Sequence, residues 1–206
     1  LKGVDEIPKE MSRAEIEMII SAFGAAAERA KAAGFDAIEL HGTHGYIINA
    51  FLSPYSNRRE DEYGGGFDGR MRFALEVLKT ARQAVGSDFP IMYRINGDER
   101  VEGGIDLPLA RRIAQRLEEA GTDAFHVTAG MYDSVFNSIP PMYLPRGYNV
   151  PLAAGVKQVV SVPVIATGRV NTPEVAEEVL RSGQADLVAM GRALLCDPEF
   201  PQKLQA

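Results

Sequence analysis

The sequence has one cysteine, Cys196, among 206 residues, and it has no long apolar run. A lone cysteine cannot form an intrachain disulfide or a cysteine-only metal cage, which suits a reducing compartment. A membrane-spanning helix needs roughly 18 or more apolar residues in a row, and no such run is present. Residues 1–5 also lack the layout of a signal peptide. We therefore expect a cytoplasmic protein that does not enter a membrane.

Positive charge is scarce as well, with 22 lysines and arginines against 28 aspartates and glutamates. The formal net charge of -6 offers no broad attraction for nucleic acid or anionic lipid. The 46% hydrophobic and 24% charged residues are typical of a globular chain with one sizeable core. We therefore expect a single domain over residues 1–206 that acts on a small molecule.

Short apolar strands alternate with amphipathic helices along the chain. A capping box from Ser12 to Glu15 begins the first helix, and Gly34 ends it. The pattern predicts helices over 16–33, 71–85, 107–120, 152–160 and 173–181. It predicts strands over 35–40, 90–95, 123–128, 162–166 and 185–190.

Apolar strands between amphipathic helices predict an α/β fold with a parallel sheet. Either a doubly wound sheet or a barrel satisfies this pattern, and phosphate-binding motifs near the carboxyl end favour the barrel. Five strands cannot close a barrel that usually has eight. We therefore predict a partial TIM (β/α)8 barrel, about the last five βα units, with the amino-terminal strands missing from a chain that begins at Leu1.

Two long connections, over residues 42–69 and 129–151, follow the first and third predicted strands. In such barrels the connections after the strands form the catalytic face, and long ones are usually functional or disordered. We therefore expect the site at this end of the sheet.

The segment from His41 to Tyr46 places two imidazoles and a phenol at the end of the first strand, between glycines that let a ligand approach closely. Imidazoles can polarise a carbonyl by hydrogen bonding, and a tyrosine can supply a proton. Two alternatives remain open. His41 and His44, with Glu39, could bind zinc or iron, although His-x-x-His alone supplies two ligands. The histidines could also simply cap the loop.

A glycine-arginine pair follows each of the last two strands. Barrel loops after the seventh and eighth strands commonly bind phosphate through glycine amides and a short helix, and arginines can add charge-assisted bonds. Each pair alone is more typical of a turn glycine beside a solvated arginine, but two pairs at successive strand ends favour phosphate. The residues are Thr167, Gly168, Arg169, Met190, Gly191 and Arg192.

Arg94 lies late in an apolar strand, where burying it without an acceptor is costly. Its partner is either a carboxylate in a structural ion pair or an anionic ligand, and the residues alone slightly favour the carboxylate. His126, within a strand, is expected to be a core histidine whose hydrogen bonds are satisfied. Tyr132, in the second long connection, either shapes a substrate pocket or packs within its loop.

In combination, these motifs resemble the Old Yellow Enzyme family over nearly the whole chain. The resemblance is carried by His41–Pro54, Asn57–Arg59, Asp61–Gly65, Arg70–Phe73, Arg94 and the two glycine-arginine motifs. Within that family the chain is most similar to the 2-enoate reductase and 2,4-dienoyl-CoA reductase group, partly through Gly130–Ser134 and Pro140–Tyr143.

The resemblance implies an FMN-dependent flavin reductase in which NAD(P)H reduces the flavin. Flavin N5 then passes hydride to the β-carbon of an activated alkene, in an enoate, enone or enoyl-CoA. By resemblance, His41 and His44 bind the substrate's carbonyl or carboxylate oxygen, and Tyr46 protonates the α-carbon. Arg94 matches the arginine at the flavin N1/O2 edge, and the glycine-arginine motifs match the FMN phosphate site.

Tyr132 stands where dienoyl-CoA reductases have a histidine, so the paired histidines here favour the enoate-reductase type, with Tyr132 beside the substrate. Larger family members continue with an iron-sulfur segment and a second nucleotide-binding domain. We expect an iron-sulfur cluster and FAD only in a longer parent chain, and a homo-oligomer stays open. Two alternatives are a flavin-independent, phosphate-binding lyase or isomerase, and a non-catalytic barrel fragment that self-associates through open edges.

Overall fold

The computed structural model describes residues 9–203, so both ends of the predicted 1–206 domain and the first five residues lie outside it. Its strands are β1 (Ile38–Gly42), β2 (Ile91–Asp98), β3 (Ala124–Ala129), β4 (Val164–Ala166) and β5 (Leu187–Val188). They are parallel and lie in chain order, β1-β2-β3-β4-β5. A doubly wound sheet reverses its strand order at a switch point. The uninterrupted order is therefore that of a segment of a barrel.

The helices follow the strands in regular alternation, as predicted. They are α1 (Arg13–Ala32), α2 (Ile47–Leu52), α3 (Phe67–Val85), α4 (Leu107–Glu119), α5 (Val135–Ser138), α6 (Val150–Lys157), α7 (Pro173–Arg181), α8 (Arg192–Cys196) and α9 (Phe200–Lys203). A 3-10 turn, Tyr132–Ser134, precedes α5. Among these helices, none is both long enough and apolar enough to cross a membrane.

The two faces of the sheet differ in composition. One face is packed against helices, with α4 on β2 and α6 on β2, β3 and β4. Its side chains are apolar and at most 5% exposed, as at Leu40, Tyr93, Phe125 and Val164. The opposite face, here called the inner face, carries Glu39, His41, Arg94, His126 and Thr128.

Three helices end in the same hydrogen-bonded motif, with a glycine of positive φ just after the cap. These glycines are Gly34 (φ 85), Gly121 (φ 99) and Gly183 (φ 69). In the first case Gly34 N donates to Lys31 O at 3.0 Å and Phe35 N donates to Ala30 O at 3.3 Å. This pairing satisfies carbonyls that the helix end would otherwise leave free. The helix end predicted at Gly34 is therefore correct.

The same motif explains why the first strand begins later in the structure than the predicted range 35–40. Residues 34 and 35 complete the end of α1, so β1 begins at Ile38 rather than residue 35 and continues to Gly42. His41 consequently lies within the strand, with its direction fixed by the sheet.

Other boundaries differ in ways that packing explains. The helix predicted over 173–181 is confirmed, whereas the one predicted over 152–160 is α6, Val150–Lys157. The last strand is Leu187–Val188 rather than 185–190, because among the described strands β5 pairs only with β4. Both long connections contain short helices, α2 in the first and α5 in the second.

Candidate active site

The candidate site lies at the carboxyl ends of the strands, where register aligns side chains from different parts of the chain. His41 pairs with Arg94 across β1 and β2, and Arg94 pairs with His126 across β2 and β3. Parallel strands in register direct paired residues to the same face. The three side chains therefore form a row across the inner face.

A tight turn after β1 brings the two predicted histidines together. Their ring centroids are 5.4 Å apart. The Thr43 hydroxyl lies 3.3 Å from Nε2 of His41 and 2.9 Å from Nδ1 of His44. Nε2 of His44 lies 3.3 Å from the Thr128 hydroxyl on β3. The turn depends on left-handed backbone at His44 (φ 61) and Gly45 (φ 79).

Tyr46 completes the cluster at the start of α2. Its ring centroid lies 5.3 Å from that of His41 and 5.6 Å from that of Tyr132. Half of Tyr46 is exposed, so its phenol stays accessible to a small molecule. The three residues predicted to be catalytic and the predicted substrate contact Tyr132 are thus brought into one group.

Burial and nearby charge keep both histidines neutral. Burial lowers the pKa of His44 to about 4, and the positive charge of Arg94 acts in the same direction. Burial also lowers the pKa of His41, again with Arg94 contributing. Near neutral pH each imidazole therefore carries one N–H donor and one acceptor nitrogen.

Among residues 9–203 Arg94 has no carboxylate partner, so the structure does not form the ion pair slightly favoured from the sequence there. Glu39, whose charge acts on Arg94, instead accepts a 2.8 Å contact from Nδ1 of His126. Burial would raise the pKa of Glu39, but the hydrogen bond and charge of His126, with Arg94, outweigh it and lower the pKa. Nε of Arg94 is buried without a hydrogen-bond partner among residues 9–203.

His126 likewise departs from its prediction as a satisfied core histidine. Nδ1 is bound to Glu39, but Nε2 is buried without a partner in the described part of the chain. With Oδ1 of Asn96, the inner face therefore holds three buried polar atoms that no residue of the described part of the chain satisfies.

A cavity of about 760 Å³ adjoins the histidine cluster. It contacts the cluster through Thr128, which lines the cavity and also approaches His44. All the residues predicted to bind the cofactor line it: Arg94, Thr167, Gly168, Arg169, Met190, Gly191 and Arg192.

Gly168 and Asn149 form a close-packed cradle in the wall of this cavity. Gly168 has φ +105, and a Cβ added there would lie 2.7 Å from Nδ2 of Asn149. Asn149 is only 1% exposed, yet both polar atoms of its side chain lack a partner among the described residues. The wall thus offers an unsatisfied amide beside a backbone that only glycine accommodates well.

Arg169 and Arg192 are partly used by the protein. Nη1 of Arg169 donates to the Pro141 carbonyl at 3.0 Å and also contacts the Met142 and Leu144 carbonyls. Nη2 of Arg192 donates to the Pro140 carbonyl at 3.0 Å. Both guanidinium groups therefore hold the loop 140–144 beside the cavity, a role that the predicted phosphate contacts did not include.

These features fit a flat, polar, anionic group such as FMN. The cavity is lined by Arg94, by Asn149 with its amide unsatisfied among the described residues, and by the two glycine-arginine motifs. The arginine and the amide suit the polar edge of a flavin ring, and the glycine-arginine motifs suit a phosphate. Within residues 9–203, no three His, Cys, Asp or Glu side chains are placed to hold a metal ion.

Sequence reasoning did not single out Thr128 or Asn149. Thr128 carries a recognisable signal, since it is a polar residue near the carboxyl end of an apolar strand. Asn149 carries none, because an asparagine before a proline-containing helix is typical of an ordinary turn.

Three comparisons place the chain among known proteins. A model of the NADH:flavin oxidoreductase / NADH oxidase family matches residues 2–206. The NADH oxidase of Thermoanaerobacter brockii is 50% identical over 196 residues, 95% of this chain and 30% of that protein. The cinnamate reductase of Clostridium sporogenes is 38% identical over 211 residues, 95% of this chain and 32% of that protein.

Among solved structures, 2-naphthoyl-CoA reductase in complex with 2-naphthoyl-CoA matches with a TM-score of 0.89 and 33% identity. The match covers 96% of this chain and 30% of that chain. The chain thus spans about a third of the length of these relatives. The predicted fold class, an α/β fold that forms part of a (β/α)8 barrel, is confirmed.

Proposed function

The chain belongs to the NADH:flavin oxidoreductase / NADH oxidase family, and on that premise we propose that it carries the active site of an FMN-dependent ene-reductase. The reaction is the NAD(P)H-driven reduction of an activated C=C bond in an enoate, enone or enoyl-CoA. One observation carries the proposal: the cluster of His41, His44 and Tyr46 lies directly beside the cavity that Arg94 and the glycine-arginine motifs line.

Several residues fit the cofactor. Arg94 would face the electron-rich edge of the flavin ring, and Gly168, Arg169, Gly191 and Arg192 would hold the phosphate, with Thr167 and Met190 in the cavity wall. Bound FMN would supply hydride that originates from NAD(P)H.

The paired histidines would activate the substrate. Because both are neutral, each can direct one N–H at a carbonyl or carboxylate oxygen without itself titrating near pH 7. Donors already in place stabilise charge that develops on that oxygen as the alkene accepts hydride. The pair would thus make the β-carbon of the substrate electrophilic.

Tyr46 would donate the proton to the α-carbon. Its ring contacts both His41 and Tyr132, so it is held between the histidine pair and the loop that follows β3. A positioned acid of this kind typically accelerates such a step by about 10²- to 10⁴-fold. Tyr132 would line the opposite side of the substrate.

The same proposal includes one barrel domain over 1–206, a cytoplasmic location and an unsaturated small-molecule substrate. An iron-sulfur cluster and FAD would belong to regions outside this chain. The sequence of the T. brockii relative, of which this chain matches 30%, is long enough to hold further domains.

Purification of the full-length protein with added FMN tests the function. We expect a flavin absorption spectrum that NADH or NADPH bleaches and that cinnamate or another enoate restores under anaerobic conditions. A colourless protein would favour the lyase or isomerase alternative. A flavin that binds but is not reoxidised by any enoate or enone would also overturn the proposal.

A further inference from the structure

Glu99, just after β2, is an acidic side chain with no exposed surface. Its carboxylate accepts three hydrogen bonds. Oε1 accepts from Nδ2 of Asn49 at 2.8 Å, and Oε2 accepts from the Ser53 hydroxyl at 2.6 Å and from the Ile105 amide at 2.7 Å. Asn49 and Ser53 are also fully buried. A carboxylate is acceptor-only, so it is the group that three converging donors require.

One arm of this network reaches the turn that carries Tyr46. Oδ1 of Asn49 accepts from the Gly45 amide at 2.6 Å and from Nδ2 of Asn96 at 3.2 Å. Because that oxygen already serves two donors, the Asn49 amide nitrogen has to face Glu99. The orientation of Asn49, and with it the position of Gly45, is therefore set by the carboxylate.

A second arm reaches the loop that carries Tyr132. The Ser134 hydroxyl donates to the backbone carbonyl of Glu99 at 2.5 Å, and it accepts from the Met131 amide at 2.9 Å. These bonds hold the residues on both sides of Tyr132. The two loops also approach each other directly, since a Cβ added to Gly45 would lie 3.2 Å from the Tyr132 ring.

We propose that Glu99 is a positioning residue that fixes the spacing between Tyr46 and Tyr132. Its buried carboxylate acts on the Tyr46 turn through Asn49 and Gly45, and its backbone carbonyl holds the Tyr132 loop through Ser134. The site is thereby assembled from three loops, those after β1, β2 and β3. The catalytic consequence rests on the proposed function, in which Tyr46 is the proton donor.

The number of donors and acceptors at positions 49 and 99 allows a specific test by substitution. In Glu99→Gln, the new amide oxygen can replace Oε2, but its NH2 group then faces the NH2 group of Asn49. Asn49 must either lose that contact or rotate and release Gly45. In the double variant Asn49→Asp/Glu99→Gln, the donor and acceptor exchange places. Every bond of the network can then form again, with the negative charge moved to position 49.

The experiment uses the full-length, FMN-loaded protein labelled with 3-fluorotyrosine. Fluorine NMR signals of Tyr46 and Tyr132 are assigned by the Tyr46→Phe and Tyr132→Phe variants. We expect Glu99→Gln to shift or broaden the Tyr46 signal directly and the Tyr132 signal through the contact between the two rings. We expect Asn49→Asp/Glu99→Gln to restore both. We expect Ser134→Ala to move the Tyr132 signal alone. The buried Tyr93 is an internal control, and Leu117→Ala, in the core of α4, controls for lost stability.

Kinetics provide a second readout. Misplacement of a reacting group by about 1 Å can cost on the order of 10²-fold in rate. We expect Glu99→Gln to slow alkene reduction by about 10- to 100-fold without slowing flavin reduction by NAD(P)H, and the double variant to recover the rate. If the wild type reduces no alkene, the proposed function fails while the fluorine signals still test the positioning. Unchanged Tyr46 and Tyr132 signals in Glu99→Gln, or no recovery in the double variant, would overturn the proposal.

Discussion

The two faces of the sheet differ in polarity and in how well their side chains are satisfied. The helix-packed face is apolar and closely packed, as at Tyr93 and Phe125, which are fully buried. The inner face carries Arg94 and His126, each with a buried nitrogen that no described residue satisfies. Unsatisfied buried polar groups destabilise a fold, so they mark places where a ligand is expected. Along each strand, residues that pack in the core therefore alternate with residues that face the proposed ligand site.

The largest effect we expect is on chemistry at the edge of the inner face. Tyr46→Phe removes the phenol that we propose as proton donor but keeps the ring contacts with His41 and Tyr132. It should slow alkene reduction by about 10²- to 10⁴-fold, whereas flavin reduction by NAD(P)H should keep its rate. Rapid-mixing absorbance of the two half-reactions measures both. Equal slowing of both would remove Tyr46 from the proton-donor role.

On the packed face we expect a large effect on stability alone. Phe125 has no exposed surface, so Phe125→Ala should lower the free energy of unfolding by about 3–5 kcal/mol. Phe125→Leu refills most of the space and should cost less. Urea unfolding and FMN titration of the folded protein check this together. If Phe125→Ala left stability unchanged but abolished FMN binding, the helix-packed face would serve the ligand rather than the fold, contrary to our prediction.

A smaller effect concerns acid stability. The folded-state pKa of His44, about 4, lies below the ordinary value of 6.5, so the unfolded chain binds a proton first as pH falls. Stability should therefore be lost between about pH 6.5 and 4, with His41 acting in the same direction. His44→Asn suits the left-handed backbone and should flatten this loss. An NMR titration that finds His44 protonated at pH 6 would contradict the assignment.

Much of the fold was predictable because local signals agree with it. Glycines after the helices and capping residues before them are short-range features, and they gave the order of all five βα units. The position of the cluster formed by His41, His44 and Tyr46 followed from the same pattern, since strand ends meet at one edge of a parallel sheet.

Partners of individual side chains were not predictable in the same way. The register between β2 and β3 places His126 where it binds the carboxylate of Glu39, so Arg94 forms no ion pair with any residue from 9 to 203. Glu99 was missed because an acidic residue in a glycine-rich turn is usually solvated, and its burial depends on three loops that are distant in sequence.

The most direct test of the central claim, that the inner face is built for FMN, is the stability and FMN affinity of Arg94→Met. Without FMN, we expect an equal or higher melting temperature, because the substitution removes a largely buried charge that no described carboxylate pairs with. FMN affinity should fall by about 10- to 150-fold, the loss of one charge-assisted contact. Arg94→Lys, which keeps the charge without the planar fork, should lie between. A large drop in melting temperature with unchanged FMN affinity would show that Arg94 serves the fold, and it would contradict the account.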